Sequence, residues 1–202
     1  MKLYYSPGAC SLAPHIVLHE SGLPFTLVKA DLKAHKLEDG SDYYPVAPKG
    51  QVPLLELDNG ERLSEGPVIS QYVADQAPAK NLAPANGTMA RYRVQEWLNF
   101  ITSELHKGVG GLFNPAMPDD GKAVLRAKAT SKLQWVDAQL EGKHYLMGDA
   151  FSIADAYLFT VTNWTAHTGI DISGMKHLGA FQARMAARPA VQAAMKAEGL
   201  MK

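Results

Sequence analysis

The sequence predicts an α/β domain followed by an all-α domain, and three observations carry that expectation. A strand–helix–strand pattern runs between residues 3 and 30. Asn59-Gly60 lies between short apolar runs, the strongest local hairpin signal, and Ser64-Glu65-Gly66-Pro67 follows it as a helix start. Beyond the proline- and glycine-bearing segment 76–87, every apolar pattern has the helical period.

Leu3 to Tyr5 reads as a strand, and Ser11 to Ser21 as a helix with Leu12, Ile16 and Glu20 at four-residue spacing and Gly22 as its stop. Phe25 to Ala30 completes a βαβ unit, which implies a parallel strand pair. Residues 31–48 are polar and irregular, with room for a single helical turn. The hairpin of Leu54–Leu57 with Arg62–Leu63 and the helix Val68–Asp75 then give the order βαβ, ββα, a thioredoxin-like arrangement. The expected boundaries are residues 1–78 for this domain, 79–89 for a linker and 90–202 for the helical domain.

In the helical part, residues 90–107 read as one helix, and Leu125, Ala129, Leu133, Val136 and Leu140 mark the core stripe of another. Between them, Gly108 to Gly121 holds four glycines and two prolines and reads as an interruption or mobile loop. Ser152-Ile153-Ala154-Asp155 is a capping box opening a helix that is apolar on most faces, the expected buried centre of the domain. Gly179 to Arg188 and Ala190 to Glu198 are the last helices, parted at Pro189.

Composition narrows the function classes. The chain has 202 residues, 47% of them hydrophobic, with 20 basic and 20 acidic side chains and zero formal charge. No basic stripe suggests nucleic acid, no polybasic run suggests an anionic membrane, and no apolar run reaches the ~20 residues of a membrane span. One cysteine permits no internal disulfide. The expectation is a soluble cytoplasmic protein.

Several residues carry chemistry by type and placement. Cys10 follows Pro7-Gly8-Ala9 and precedes the first helix, where unpaired N–H groups stabilise a thiolate and lower the thiol pKa; the bland alternative is a small buried apolar residue. Glu65 stands at a helix start behind the Gln51-Val52-Pro53 element, offering a carboxylate for an ammonium group while the helix N-terminus receives a carboxylate. Together they suit a small zwitterion. Asn99, Ser103 and His106, spaced by four and three, share a helical face. Lys107 adjoins them. His15 and His19 are at i, i+4 but have no third ligand, so no metal is expected.

Four segments, KLYYSPGACSLAPHI, the VP…SEG core, WLNFITSELHKG and SIADAYLF, stand in the order and spacing of the cytosolic glutathione S-transferases. The chain resembles the bacterial beta class of that family over its whole length. The resemblance implies a thioredoxin-like N-terminal domain that binds glutathione and an all-helical C-terminal domain. It implies a cis bond before Pro53, with the backbone of Val52 pairing with the cysteinyl part of glutathione, and Cys10 facing the glutathione sulfur. Tyr5 and Ser11 remain alternative donors to that sulfur. Glu65 would take the γ-glutamyl amine and Gly66 would offer its backbone N–H. Asn99, Ser103, Glu104 and His106 would complete the glutathione contacts, Ser103 reaching the partner subunit's ligand. Where the class commonly has a lysine for the glycine carboxylate, this chain has His35, flanked by Lys33 and Lys36.

The resemblance implies a homodimeric glutathione transferase whose catalytic residues are Cys10 and His106. Glutathione is its co-substrate, a small hydrophobic electrophile its second substrate, and no metal takes part. Phe113, Trp164 and His167 are candidates for the electrophile pocket. A mainly redox role for Cys10 and a non-catalytic binding or regulatory role are the rival readings.

Overall fold

The computed structural model describes residues 1–201, so residue 202, the expected end of the helical domain, lies outside the described residues. The chain forms two compact units: Met1–Ala83 together with Arg188–Lys202, and Pro84–Ala187.

The first unit is built on a sheet of β1 (Lys2–Tyr5), β2 (Thr26–Asp31), β3 (Lys36–Leu37), β4 (Leu54–Glu56) and β5 (Arg62–Ser64), in the order β3-β2-β1-β4-β5. β1 and β2 are parallel, and every other pairing is antiparallel. The parallel pair follows from the crossover helix α1 (Leu12–Ser21), which ends at Gly22 in the left-handed conformation with φ 70°. β1 is buried on both faces: Tyr4 packs with Tyr43, Val52 and Leu54, while Leu3 and Tyr5 point the other way. The hairpin turns at Asn59-Gly60, where Gly60 has φ 86° and the Asn59 side chain accepts from the N–H of Glu61. The helix α2 (Gly66–Gln76) then packs against α1.

Two features of this unit depart from expectation. Residues 31–48 contain the expected single turn, closed where Ala47 donates its N–H to the Tyr43 carbonyl at 2.9 Å, and add the unexpected short strand β3, whose two residues are too few to show a period. The final helix α9 (Pro189–Ala197) belongs with this unit rather than with the helical domain. α9 packs on α1, where Arg188 Nε donates to Glu20 at 2.7 Å and Glu198 meets His15 Nδ1 at 2.8 Å, both imidazole and carboxylate fully buried. The helical unit as observed therefore runs from residue 84 to 187 instead of 90 to 202.

The second unit begins with α3 (Met89–Phe100), which continues through a π-helical segment, Ile101–His106, into α4 (Lys107–Gly111). One unbroken helical path thus replaces the expected α-helix ending at residue 107. Thr102 and Ser103 donate their hydroxyls to the carbonyls of Leu98 and Asn99, four residues back, at 2.8 and 3.1 Å. Such back-bonding competes for carbonyls that an α-helix gives to backbone N–H groups, and it favours a locally widened turn. The glycines read as an interruption instead permit close packing. A Cβ at Gly111 would lie 2.8 Å from Leu125 Cδ2, and one at Gly108 would meet the Ala129 methyl at 3.6 Å. The break is confined to residues 112–118, before α5 (Asp119–Gln139).

On α5 the inward residues Ala129, Leu133 and Val136 are buried. α6 (Ile153–Asn163) is the core of the unit, buried from Ile153 to Thr162 and packed against α3, the π segment and α8 (Lys176–Ala186). A single-turn helix, α7 (Thr165–Thr168), follows α6. The capping box read from the sequence is formed. Asp155 accepts from the Ser152 N–H at 2.7 Å and hydroxyl at 2.9 Å, and its other oxygen accepts from the buried N–H of Leu146 at 2.8 Å.

Asp155 therefore holds both the start of the core helix and the loop before it. Asp155→Ala strands two buried N–H groups at a cost of about 1–3 kcal/mol each, so urea denaturation should show a loss of roughly 2–6 kcal/mol. Asp155→Asn, which keeps one acceptor, should recover about half of that. A loss below about 1 kcal/mol for Asp155→Ala would show that the cap contributes little.

Candidate functional site

In the first unit, the chain leaves β1 at Tyr5 and turns through residues 6–11 before α1. Ser11 is fully buried, accepts from the Ser6 N–H at 3.2 Å and donates to the Ser6 carbonyl at 3.3 Å. Its hydroxyl is thus built into the loop, which disfavours it as a donor to a ligand sulfur. Gly8, at φ 70°, donates its N–H to Glu198 Oε2 at 2.9 Å, and the other oxygen of that carboxylate holds His15 Nδ1. α9 therefore fastens the loop that carries Cys10.

Cys10 is partly exposed, and its Sγ donates to the carbonyl of Val52 at 3.2 Å. A thiol proton makes that bond and a thiolate does not, so this contact competes with the thiolate stabilisation expected at the helix start. The Val52–Pro53 peptide is cis, as the resemblance implies. The preceding residue is fixed from a second side, for the Tyr43 hydroxyl donates to the Gln51 carbonyl at 3.0 Å.

Glu65 precedes α2 with φ 69° and ψ 109°, a left-handed backbone that a non-glycine residue rarely adopts. Strain of this kind is retained where surrounding structure demands it, and functional sites are where it concentrates. Gly66 allows α2 to begin close to the cis proline: a Cβ there would stand 3.5 Å from Pro53 Cγ and 3.9 Å from Pro14 Cδ. The Glu65 side chain is exposed and accepts from the Lys49 ammonium at 2.9 Å. An amine thus already occupies the position that the sequence reserves for one. Lys49 escaped the sequence reading because sixteen residues of turn and hairpin separate it from Glu65.

His35 is held in a shaped slot. It has φ 53°, its ring stacks on Tyr44 at 4.6 Å, and a Cβ at Gly50 would lie 2.9 Å from its Nδ1. Gly50 is therefore required for the ring to lie there, directly ahead of Gln51 and Val52. Its buried Nδ1 has no hydrogen-bond partner among the described residues. The turn leading to it is set by Asp31, whose carboxylate accepts from the N–H groups of Ala34 and Lys33, bonds that hold its pKa below the ordinary value.

Ionisation of the nearby tyrosines is suppressed. Burial raises the pKa of Tyr5, with the carboxylates of Glu198 and Glu38 adding to it. Tyr5 is thus a neutral phenol at physiological pH. Burial likewise pushes Tyr43 up to about 12. The pKa of His19, whose ring lies tilted 5.0 Å from that of His15, is lowered mainly by burial and secondarily by His15. Among the described residues, no group of His, Cys, Asp and Glu is arranged to hold a metal.

The second unit carries the remaining sequence candidates. Asn99 and Ser103 are exposed, Ser103 donating back to the Asn99 carbonyl. Glu104 is engaged by the Lys132 ammonium at 3.3 Å. His106 ends the π segment, with its Nδ1 2.6 Å from the Tyr157 hydroxyl and its ring 4.9 Å from that of Trp164. Phe113, half exposed, packs edge-on to Trp164 at 6.2 Å. Lys107 and His167 are exposed. Tyr157 and Glu198 carry no signal of these contacts in the sequence, because His106, His15 and Gly8 are too distant for any periodic pattern.

Family models described as the glutathione S-transferase N-terminal and C-terminal domains match residues 8–76 and 100–189. Glutathione S-transferase GstA of Escherichia coli O157:H7 is 51% identical over 200 residues, covering 99% of this chain and all of the relative. A bacterial beta class glutathione S-transferase of Sphingomonas chungbukensis superposes with a TM-score of 0.96 at 49% identity, each chain covered completely. A sphingomonad glutathione S-transferase solved in complex with glutathione gives 0.95 at 49% identity, again over the whole of both chains.

The buried phenol behind Gln51 makes an alkaline prediction. A folded pKa raised from 10.0 to about 12 gives stability that is complete below pH 10 and is lost as pH rises through 12. Urea titrations should show the wild type losing about 2–3 kcal/mol more than Tyr43→Phe across that interval. Parallel losses in the two proteins would mean that Tyr43 ionises as freely folded as unfolded.

Proposed function

The chain belongs to the glutathione S-transferase family and sits with its bacterial beta class, and from that premise we propose that it joins the glutathione thiol to soft electrophiles. The glutathione thiolate attacks the electrophilic atom, the new carbon–sulfur bond forms, and the leaving group departs with its electron pair. The protein supplies binding, orientation and stabilisation of the thiolate.

The observation that carries this reading is Glu65. A carboxylate held at φ 69° at the start of α2, already bound to an ammonium, is built to receive the γ-glutamyl amine. Val52 supplies the peptide edge for the cysteinyl part, Gly66 its backbone N–H, and His35 the glycine carboxylate. His106 stabilises the glutathione thiolate, with Asn99, Ser103 and Glu104 as further contacts. Phe113 and Trp164 serve the apolar electrophile. No helix is long and apolar enough to cross a membrane among the described residues; a cytoplasmic location is part of the proposed reading. A homodimer is part of the reading; Ser103 is exposed, as a residue reaching the partner subunit's ligand would have to be.

Cys10 has a second use in this scheme. Its thiolate attacks one sulfur of glutathione disulfide, forming a Cys10–glutathione mixed disulfide and releasing the other glutathione as a thiolate. The thiol's contact with Val52 supports this reading, since a ligand amide that takes that carbonyl frees the Cys10 proton.

Two experiments test these roles. Glu65→Ala should weaken glutathione binding by about 1.5–3 kcal/mol in calorimetry, the worth of a charge-assisted contact; unchanged affinity in a folded variant rejects the anchor. Glutathione disulfide should convert the wild type to a mixed disulfide below neutral pH, and a non-thiol glutathione analogue that competes for Val52 should slow the conversion. Cys10→Ala should lose exchange yet retain conjugation of an aryl halide. Loss of conjugation in that variant would move Cys10 into the conjugation step itself.

A further inference from the structure

We propose that Tyr157 is a positioning residue that fixes the tautomer and direction of the His106 imidazole. The proposal rests on the reading that His106 stabilises the glutathione thiolate. Tyr157 lies on the buried helix α6, 4% exposed, and its hydroxyl is 2.6 Å from His106 Nδ1. The separation is that of a close hydrogen bond, and in this proposal the phenol donates while Nδ1 accepts. In a neutral imidazole the single proton then resides on Nε2, the nitrogen directed away from Tyr157.

A donor at Nε2 is the form a developing thiolate requires. The Nδ1–H tautomer presents a lone pair there instead and repels the anion. The ring is also confined laterally. Trp164 packs edge-on at 4.9 Å, and a Cβ at Gly110 would already stand 3.4 Å from both His106 Cδ2 and Trp164 Cζ3. Tyr157 sits on the most buried helix of the unit, so the reference point for the imidazole is the least mobile part of its surroundings. The π segment that ends at His106 sets the backbone from which the ring reaches Tyr157.

The test combines spectroscopy with a double-mutant cycle in the full-length protein. Long-range proton–nitrogen correlation, with His106 assigned by its loss in His106→Ala, should show a single Nε2–H tautomer in the wild type. A Nδ1–H tautomer there overturns the proposal without recourse to any variant. Tyr157→Phe keeps the ring and removes the hydroxyl; it should give mixed tautomers. It should also lower kcat for an aryl halide roughly 3- to 10-fold while the glutathione KM stays within about 2-fold. In the His106→Ala background the same substitution should have no effect on kcat, because the hydroxyl then has no imidazole to direct. An equal loss in both backgrounds marks a purely structural role and overturns the proposal. Full activity in His106→Ala overturns the catalytic reading beneath it, while the tautomer measurement still decides whether the hydrogen bond is as drawn.

Discussion

The first unit depends on holding one short stretch of backbone, Gly50 to Pro53, where a ligand peptide can meet it. The stretch has no strand partner of its own before β4 begins at Leu54, so side chains supply what a ladder does not. Tyr43 binds the Gln51 carbonyl, Cys10 binds that of Val52, and His35 and Tyr44 close over Gly50. An edge left to water would sample many conformations and would have to be ordered at the expense of binding energy. Fixing it in advance is preorganisation. The positions of Glu65 and Gly66 follow from the same constraint, because α2 starts against the proline that ends the stretch.

The second unit solves a different problem. A helix buried on all sides needs its ends satisfied by protein groups rather than water, and Asp155 does this for α6. With that helix set, the widened turn at Ile101–His106 brings an imidazole to a phenol on it. Two hydroxyl residues in succession, Thr102 and Ser103, release the turn from strict α geometry. The glycines beyond it ease the approach of α4 to α5: a Cβ at position 111 would make the Leu125 side chain shift.

Local chemistry in the sequence anticipated much of this and missed what is not local. Gly22 and the Ser152–Asp155 box announce helix ends because the signal and its effect lie within four residues. The hairpin at Asn59-Gly60 is legible for the same reason. The π segment is not, since a 3.6-residue period imposed on residues 90–107 conceals a turn that departs from it. The glycines after residue 107 looked like a break because composition does not show what a missing Cβ allows to come near. In the site, Cys10 and Glu65 could be found from their places at helix starts. Lys49, Tyr157 and Glu198 could not, for each acts through a partner brought close only by tertiary folding.

The attachment of α9 to the first unit means that this unit is discontinuous along the chain. Residues 1–83 include Cys10, Val52 and Glu65, yet the Gly8 N–H donates its hydrogen bond to Glu198. During synthesis the sheet and its helices can assemble as soon as they emerge. The loop before Cys10 must wait until the whole helical unit has been made and residues 188–198 have returned to α1. Its thiol therefore reaches its final surroundings late, after every other element of the first unit except α9 has been translated. An isolated N-terminal fragment would contain the binding residues while its reactive loop remained unfastened.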